Sequence, residues 1–214
     1  MLESIELNGW VELGKVNSDR ELKYLAKSIG SIERHPNGEE VYTLRPKSKL
    51  TANRNSFSGH YGLDAFPFHT DTAYKAKPVR FIILHAPVES SSPTRILPFK
   101  KIIEQLSTYE LSILSRAIFI LNNKQSKYYT SFEFREDGKV GYKYDPICMK
   151  PVNNQAETIQ RKVHQIMSII EPIDIFWFKG RTVLIDNWAT LHGRASVINE
   201  SNSRVLKRIY LNQK

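Results

Sequence analysis

Residues 66–71 read Phe66-Pro67-Phe68-His69-Thr70-Asp71 and hold the only His-x-Asp or His-x-Glu of the chain. In an extended segment, residues two apart project to the same face. The His69 imidazole and the Asp71 carboxylate are therefore expected to converge on one ion. A facial triad of two histidines and a carboxylate needs one more imidazole and leaves positions open for substrate and oxygen. The best third ligand is His192, in the stretch IDNWATLHGR at 185–194. It follows an apolar run expected to be a strand and precedes Gly193, a place that lets a side chain point out of a barrel mouth. His35 and His60 lie in polar stretches that read as loop, His85 in an expected strand and His164 in an expected helix. With six histidines the tripeptide arises readily by chance, so its force comes from its surroundings.

Working outward, residues 79–88 (VRFIILHAPV) are β-branched and aromatic and predict a buried strand. Strands are also expected at 117–121, 128–135, 140–144, 173–178, 182–185 and 205–211. Asp137-Gly138 marks a hairpin turn and Lys179-Gly180 another tight turn. Ser18 and Glu21 form a capping-box pattern ahead of Leu22, Leu25, Ala26 and Ile29, which predicts a helix over 19–29. Ile159, Val163, Ile166 and Ile170 predict another over 155–170, and 99–117 reads as one or two short helices. Residues 46–61 are polar and read as a long loop, either a lid or simply solvated. Many short strands with few helices between them argue against a parallel doubly wound sheet. The expected class is mostly β with flanking helices, a double-sheet jelly roll.

The 214 residues fit one domain over 1–214, and 41% hydrophobic with 25% charged is ordinary for a globular chain. The lone Cys148 excludes an internal disulfide. The opening MLESIELNGW has no basic n-region, and no apolar run is long enough for a membrane, so a cytoplasmic location is expected. The net charge of +9 is spread out, with no block of five like charges and no basic stripe interleaved with aromatics. A solvated basic surface is the expectation, a membrane or nucleic-acid partner is not, and oligomeric state is not legible.

Four motifs in order, FHTD (68–71), SSPTRI (91–96), IDNWATLHGR (185–194) and RVLKR (204–208), resemble the TauD/TfdA (taurine/2,4-D dioxygenase) family, including its clavaminate-synthase-like branch. The resemblance runs over about residues 66–211. It implies a double-stranded β-helix and an oxygenase that uses Fe(II), 2-oxoglutarate and O2. His69, Asp71 and His192 match the family's iron ligands. Thr94 matches a threonine that binds a 2-oxoglutarate carboxylate, and Arg204 the arginine that clamps the distal carboxylate. Arg208 matches a second arginine that reaches the substrate or helps to hold the anions. The family usually has glycines where Ser91, Ser92 and Pro93 stand, and serine is poorer at positive φ, so a different turn is expected before Thr94.

The residues themselves support an anion site. Arg204, Leu206 and Arg208 share one face of a strand and Val205, Lys207 and Ile209 the other. Two inward cations on one face are costly in a plain core and make sense facing an anion; a surface strand edge is the alternative. The substrate is expected to be a small anionic or zwitterionic molecule such as an amino acid or carboxylate, with Tyr74, Tyr144 and Trp188 as pocket candidates that equally suit core packing. By the resemblance, the intact Asp71 favours hydroxylation, desaturation or ring closure over halogenation. Two rivals are an AlkB-like nucleic-acid demethylase, disfavoured by the 123 positions that separate His69 from His192, and a non-catalytic cupin-like binding module.

Overall fold

Residues 81–85 are apolar at nearly every position because both faces of their strand are covered. The structure is a computed structural model that describes residues 2–122, 127–198 and 204–213. Its helices are α1 (Leu2–Asn8), α2 (Asp19–Ile29), α3 (Phe57–Tyr61), α4 (Phe99–Ile103), α5 (Thr108–Leu114) and α6 (Asn154–Ile169). Its strands are β1 (Trp10–Lys15), β2 (Ser31–Glu33), β3 (Tyr42–Leu44), β4 (Phe66–His69), β5 (Phe81–His85), β6 (Ser90–Pro98), β7 (Ile118–Asn122) and β8 (Lys127–Ser131). They continue with β9 (Glu133–Glu136), β10 (Lys139–Tyr142), β11 (Met149–Pro151), β12 (Ile173–Trp177), β13 (Arg181–Asp186), β14 (Thr190–Arg194) and β15 (Leu206–Asn212).

The chain is mostly β, and its recorded strand pairings are antiparallel. One sheet has the order β1-β13-β5-β15-β2, with β3 also on β15; a second has the order β12-β6-β14-β4. Period-two alternation decides what lies between them. Ile82, Leu84, Val183, Ile185, Leu206 and Tyr210 of the first sheet form one buried cluster with Ile96, Ile175 and Trp177 of the second. The intervening Ile83, Leu184, Ile209 and Leu211 face the other way and pack on Ile5 of α1 and Leu22 and Ala26 of α2. On the outer side of the second sheet, Leu97 and Leu191 join Phe99, Ile113, Ile159, Val163 and Ile166 of the helices α4, α5 and α6. Each fully buried Ile, Leu or Val contributes about 1.5–3 kcal/mol through removal from water, so the inward face is held from both sides.

The helix over 19–29 is observed with the expected bounds: Ser18 Oγ accepts from Glu21 N, while Glu21 accepts from Asn17 N. The hairpin at 137–138 is present, with both turn residues at positive φ (48° and 75°). Three expectations need correction. Residues 46–61 are not loop throughout, since Ser56 caps α3 by accepting from Gly59 N. Residues 90–93 are not a turn but the start of β6, and none has positive φ, so glycine is not required there. His192 follows the expected strand, β13, but sits inside a further one, β14, that was not expected. No described helix is long and apolar enough to cross a membrane.

Candidate metal centre

β4 and β14 pair so that His69 stands opposite His192. Their neighbours Phe68 and Leu191 turn to the outer cluster, which by alternation turns both imidazoles inward, between the two sheets. Between His192 and Arg194 the register shifts, so β4 bulges there. Gly193 permits that bulge, because a Cβ at this position would lie 2.7 Å from Phe66 O.

Asp71 lies just beyond β4, and its backbone is fixed from both sides. Asn187 Oδ1 accepts from Asp71 N at 2.9 Å, and Asn187 Nδ2 donates to Asp71 O at 3.0 Å. Thr72, the next residue, has φ 57°, a rare conformation for a β-branched residue. Its hydroxyl accepts from Val79 N, which holds the turn. The chain thus reverses at once after Asp71.

The result is a buried three-residue cluster: His69, Asp71 and His192 are 6%, 8% and 8% exposed, and their ligand atoms all lie within 4.8 Å of one another. His69 Nε2 is 3.7 Å from Asp71 Oδ1, and His192 Nε2 is 3.6 Å from Asp71 Oδ2. His69 Nδ1–H donates to Pro67 O at 2.9 Å, which assigns the lone pair to Nε2. Burial, then the neighbouring His69, lowers the His192 imidazole to about 3, so it is neutral at pH 7. Burial alone raises the Asp71 carboxyl, but Arg208 and the two imidazoles outweigh it and hold the group well below the usual carboxylate range. Two imidazoles and an ionised carboxylate, all buried and convergent, form a donor set that fits iron(II). Among the described residues this is the one His/Cys/Asp/Glu group so arranged.

Arg208 reaches Asp71 from the opposite sheet. Its Nη1 donates to Asp71 Oδ2 at 2.8 Å, and its guanidinium carbon lies 4.5 Å from the Tyr210 ring centre and 5.7 Å from that of Tyr42. His35 stacks behind both tyrosines and donates from Nε2 to Arg208 O. His35 lies in loop as expected, yet it is buried and forms the back wall of this cation. Lys207 points to the other side of the sheet and pairs with Asp19.

A second cation, just ahead of β15, reaches across to β6 of the sheet that carries His192. Thr94 on β6 is paired with Arg194 of β14, two residues from His192. Arg204 Nη2 donates to Thr94 Oγ1 at 3.2 Å, and Arg204 Nε donates to Ser92 O at 3.3 Å. Thr94 is 2% exposed and Arg204 6%, and among the described residues no carboxylate is recorded as an ion-pair partner of Arg204. Burial and the nearby Arg194 lower its guanidinium to about 9. Arg194 itself donates to Gly62 O and Asp64 O and stacks on Phe66, tying the exit of α3 to β14. Within α3, Phe57 stacks on the His69 ring with centres 3.9 Å apart.

The candidate pocket residues separate. Tyr74 is half-buried, and its hydroxyl feels both Asp71 and Arg208. Tyr144 is instead a core residue: its ring packs with Phe132, its hydroxyl bonds His164, and its backbone pairs with Thr70. Trp188 is also committed elsewhere, donating from Nε1 to Pro78 O at 2.9 Å and packing against Arg80 and Phe134. An aromatic residue's position along the chain does not disclose where its polar tip ends. Missed by sequence reading were Asn187, Phe57, Tyr42, Tyr210 and His35; only Asn187, inside the IDNW motif, carried a local signal.

The sequence matches no protein-family model and no curated protein. The fold matches solved structures. Asparagine oxygenase in complex with Fe(II), 2S,3S-3-hydroxyasparagine and succinate superposes with a TM-score of 0.77 at 15% identity, over 99% of this chain and 77% of that one. The non-haem iron oxygenase OrfP, solved with Fe and α-ketoglutaric acid, gives 0.78 at 14% over 100% and 77%. PvcB from Pseudomonas aeruginosa gives 0.72 at 16% over 98% and 78%. At such identities the likeness establishes a shared fold.

Proposed function

We propose that this chain is an iron(II)- and 2-oxoglutarate-dependent oxygenase of the taurine/2,4-D dioxygenase type, hydroxylating a small anionic or zwitterionic molecule such as an amino acid. One observation carries the proposal: a buried His69–Asp71–His192 cluster adjoins the sheet strand β6, whose Thr94 accepts from the buried Arg204, and among the described residues no carboxylate pairs with that cation. The two facing antiparallel sheets are read as the halves of a double-stranded β-helix. The fold shared with asparagine oxygenase, OrfP and PvcB supports this, as does the description of PvcB as an Fe, α-ketoglutarate-dependent oxygenase.

His69 Nε2, His192 Nε2 and one Asp71 oxygen would hold the iron, which supplies oxygen activation when bound. The overall balance is substrate C–H plus O2 plus 2-oxoglutarate giving substrate C–OH, succinate and CO2. Arg204 and Thr94 receive the distal carboxylate of 2-oxoglutarate, where a planar guanidinium suits a carboxylate edge. Arg208, gripping Asp71 with one N–H, has other N–H groups for a substrate carboxylate, and Tyr74 lies near it. Phe57 covers His69 and keeps water from that side. An amino-acid substrate is favoured by the Arg208 cation and by the ligands of two fold neighbours, hydroxyasparagine and (3S)-hydroxy-L-Arg.

A screen of amino acids and small carboxylates, read as succinate released from iron-loaded protein with 2-oxoglutarate and air, tests the proposal. At least one amino acid is expected to raise succinate release well above the uncoupled background. Background release with every compound, and with the free acids as well, would contradict the substrate class.

A further inference from the structure

Trp177 lies outside the four motifs that mark the site, yet its side chain ends on one of the site's atoms. It closes β12, its side chain is 2% exposed, and its indole Nε1–H donates to Thr94 Oγ1 at 3.1 Å. Arg204 Nη2 donates to the same oxygen. A hydroxyl has two lone pairs and one proton, whereas an indole N–H and a guanidinium only donate. Both lone pairs of Thr94 are therefore filled, and the remaining role of this hydroxyl is to donate its own proton. Among the described residues no acceptor is recorded for that proton, and none for Arg204 Nη1.

We infer that Trp177 is a positioning residue of this subsite: it fixes the Thr94 hydroxyl as a donor, so the subsite selects a carboxylate over the neutral amide of the same shape. The inference rests on the 2-oxoglutarate reading of the Arg204–Thr94 pair. A carboxylate offers acceptors on both oxygens and a charge for Arg204. A primary amide must turn its NH2 toward either the Thr94 proton or the guanidinium, and neither accepts. Without the indole N–H, one Thr94 lone pair is released, the hydroxyl rotates, and an amide NH2 gains an acceptor. Replacing Trp177 with Phe keeps a ring in the core and removes only that N–H and part of the ring's volume.

The test has two arms. In the first, 2-oxoglutarate and 2-oxoglutaramate are compared as co-substrates of wild type and Trp177→Phe. The variant is expected to raise the KM for 2-oxoglutarate by about 3- to 10-fold, the size of one neutral hydrogen bond, with a smaller effect on kcat. Its preference for the acid over the amide should shrink. The second arm needs no variant of the site and no turnover. In zinc-loaded wild type, the Trp177 indole N–H resonance, assigned with Trp10→Phe and Trp188→Phe, should shift on adding 2-oxoglutarate. It should stay in place with 2-oxobutyrate, which lacks the distal carboxylate. If 2-oxoglutarate binds but the resonance does not move, or if Trp177→Phe folds and keeps the wild-type KM and acid preference, the Trp177 assignment is overturned and the parent reading stands. If wild type binds no 2-oxoglutarate at all, both fall.

Discussion

Arg208 Nη1 stands 2.8 Å from Asp71 Oδ2, so a cation on β15 of one sheet grips the candidate iron carboxylate at the end of β4 in the other. The side chains are 18% and 10% exposed. Removing one partner of a buried pair strands the other charge, at about 3–5 kcal/mol. Arg208→Met is therefore expected to destabilise the metal-free protein by about that much. A divalent ion replaces the missing positive charge, so Mn(II) should restore more stability in the variant than it adds to wild type. Denaturation in EDTA and in Mn(II) checks both signs; equal metal-free stability would show that the pair does not form in solution.

The bulge that sets His69 opposite His192 depends on a missing side chain. A methyl at residue 193 would meet Phe66 O at 2.7 Å, and backbone cannot swing away as a side chain does. Gly193→Ala should cost about 1–3 kcal/mol through overpacking and should weaken Mn(II) binding by separating the two imidazoles. Urea denaturation and a metal titration read the two effects; a stable variant with weakened metal binding places the strain at the site itself.

Acid sensitivity has an assignable component. Burial first, then Arg208, lowers the His35 imidazole from 6.5 to about 4. Below pH 6.5 the unfolded chain takes up a proton that the folded chain refuses until about pH 4. Stability from this group is thus full above 6.5 and is lost as pH falls toward 4, at about 1.4 kcal/mol per pH unit. His35→Phe retains stacking on Tyr210 and does not titrate. Its Tm should fall less than that of wild type between pH 7.5 and pH 5; parallel curves would locate the acid sensitivity elsewhere.

Much of the site was legible because its chemistry is local in sequence. The His-x-Asp pair is two residues apart in one short segment, and the two arginines of RVLKR are four apart, Arg208 on β15 and Arg204 just ahead of it. Helices α2 and α6 announced themselves by apolar spacing, and α2 also by its Ser18 cap. β6 stayed hidden because Ser90, Ser91, Ser92 and Pro93 have little intrinsic preference for strand; β12 and β14 pair with it on both sides and impose the conformation. Trp177 was illegible for a related reason. Its role exists only through a bond to Thr94, 83 residues away, across the β12–β6 register. Tyr144 and Trp188 suited pocket and core alike, because the sequence does not show that His164 and Pro78 O claim their polar ends.

The proposed centre is one iron held by His69, Asp71 and His192 beside one 2-oxoglutarate. Its most direct test is the weak visible charge-transfer absorption that appears when 2-oxoglutarate chelates iron(II), measured anaerobically. Wild type should develop the band. His69→Ala and His192→Ala should abolish it, and Arg204→Ala should require far more 2-oxoglutarate to reach it. A wild-type protein that shows no band, or a band that persists unchanged in all three variants, would contradict the account.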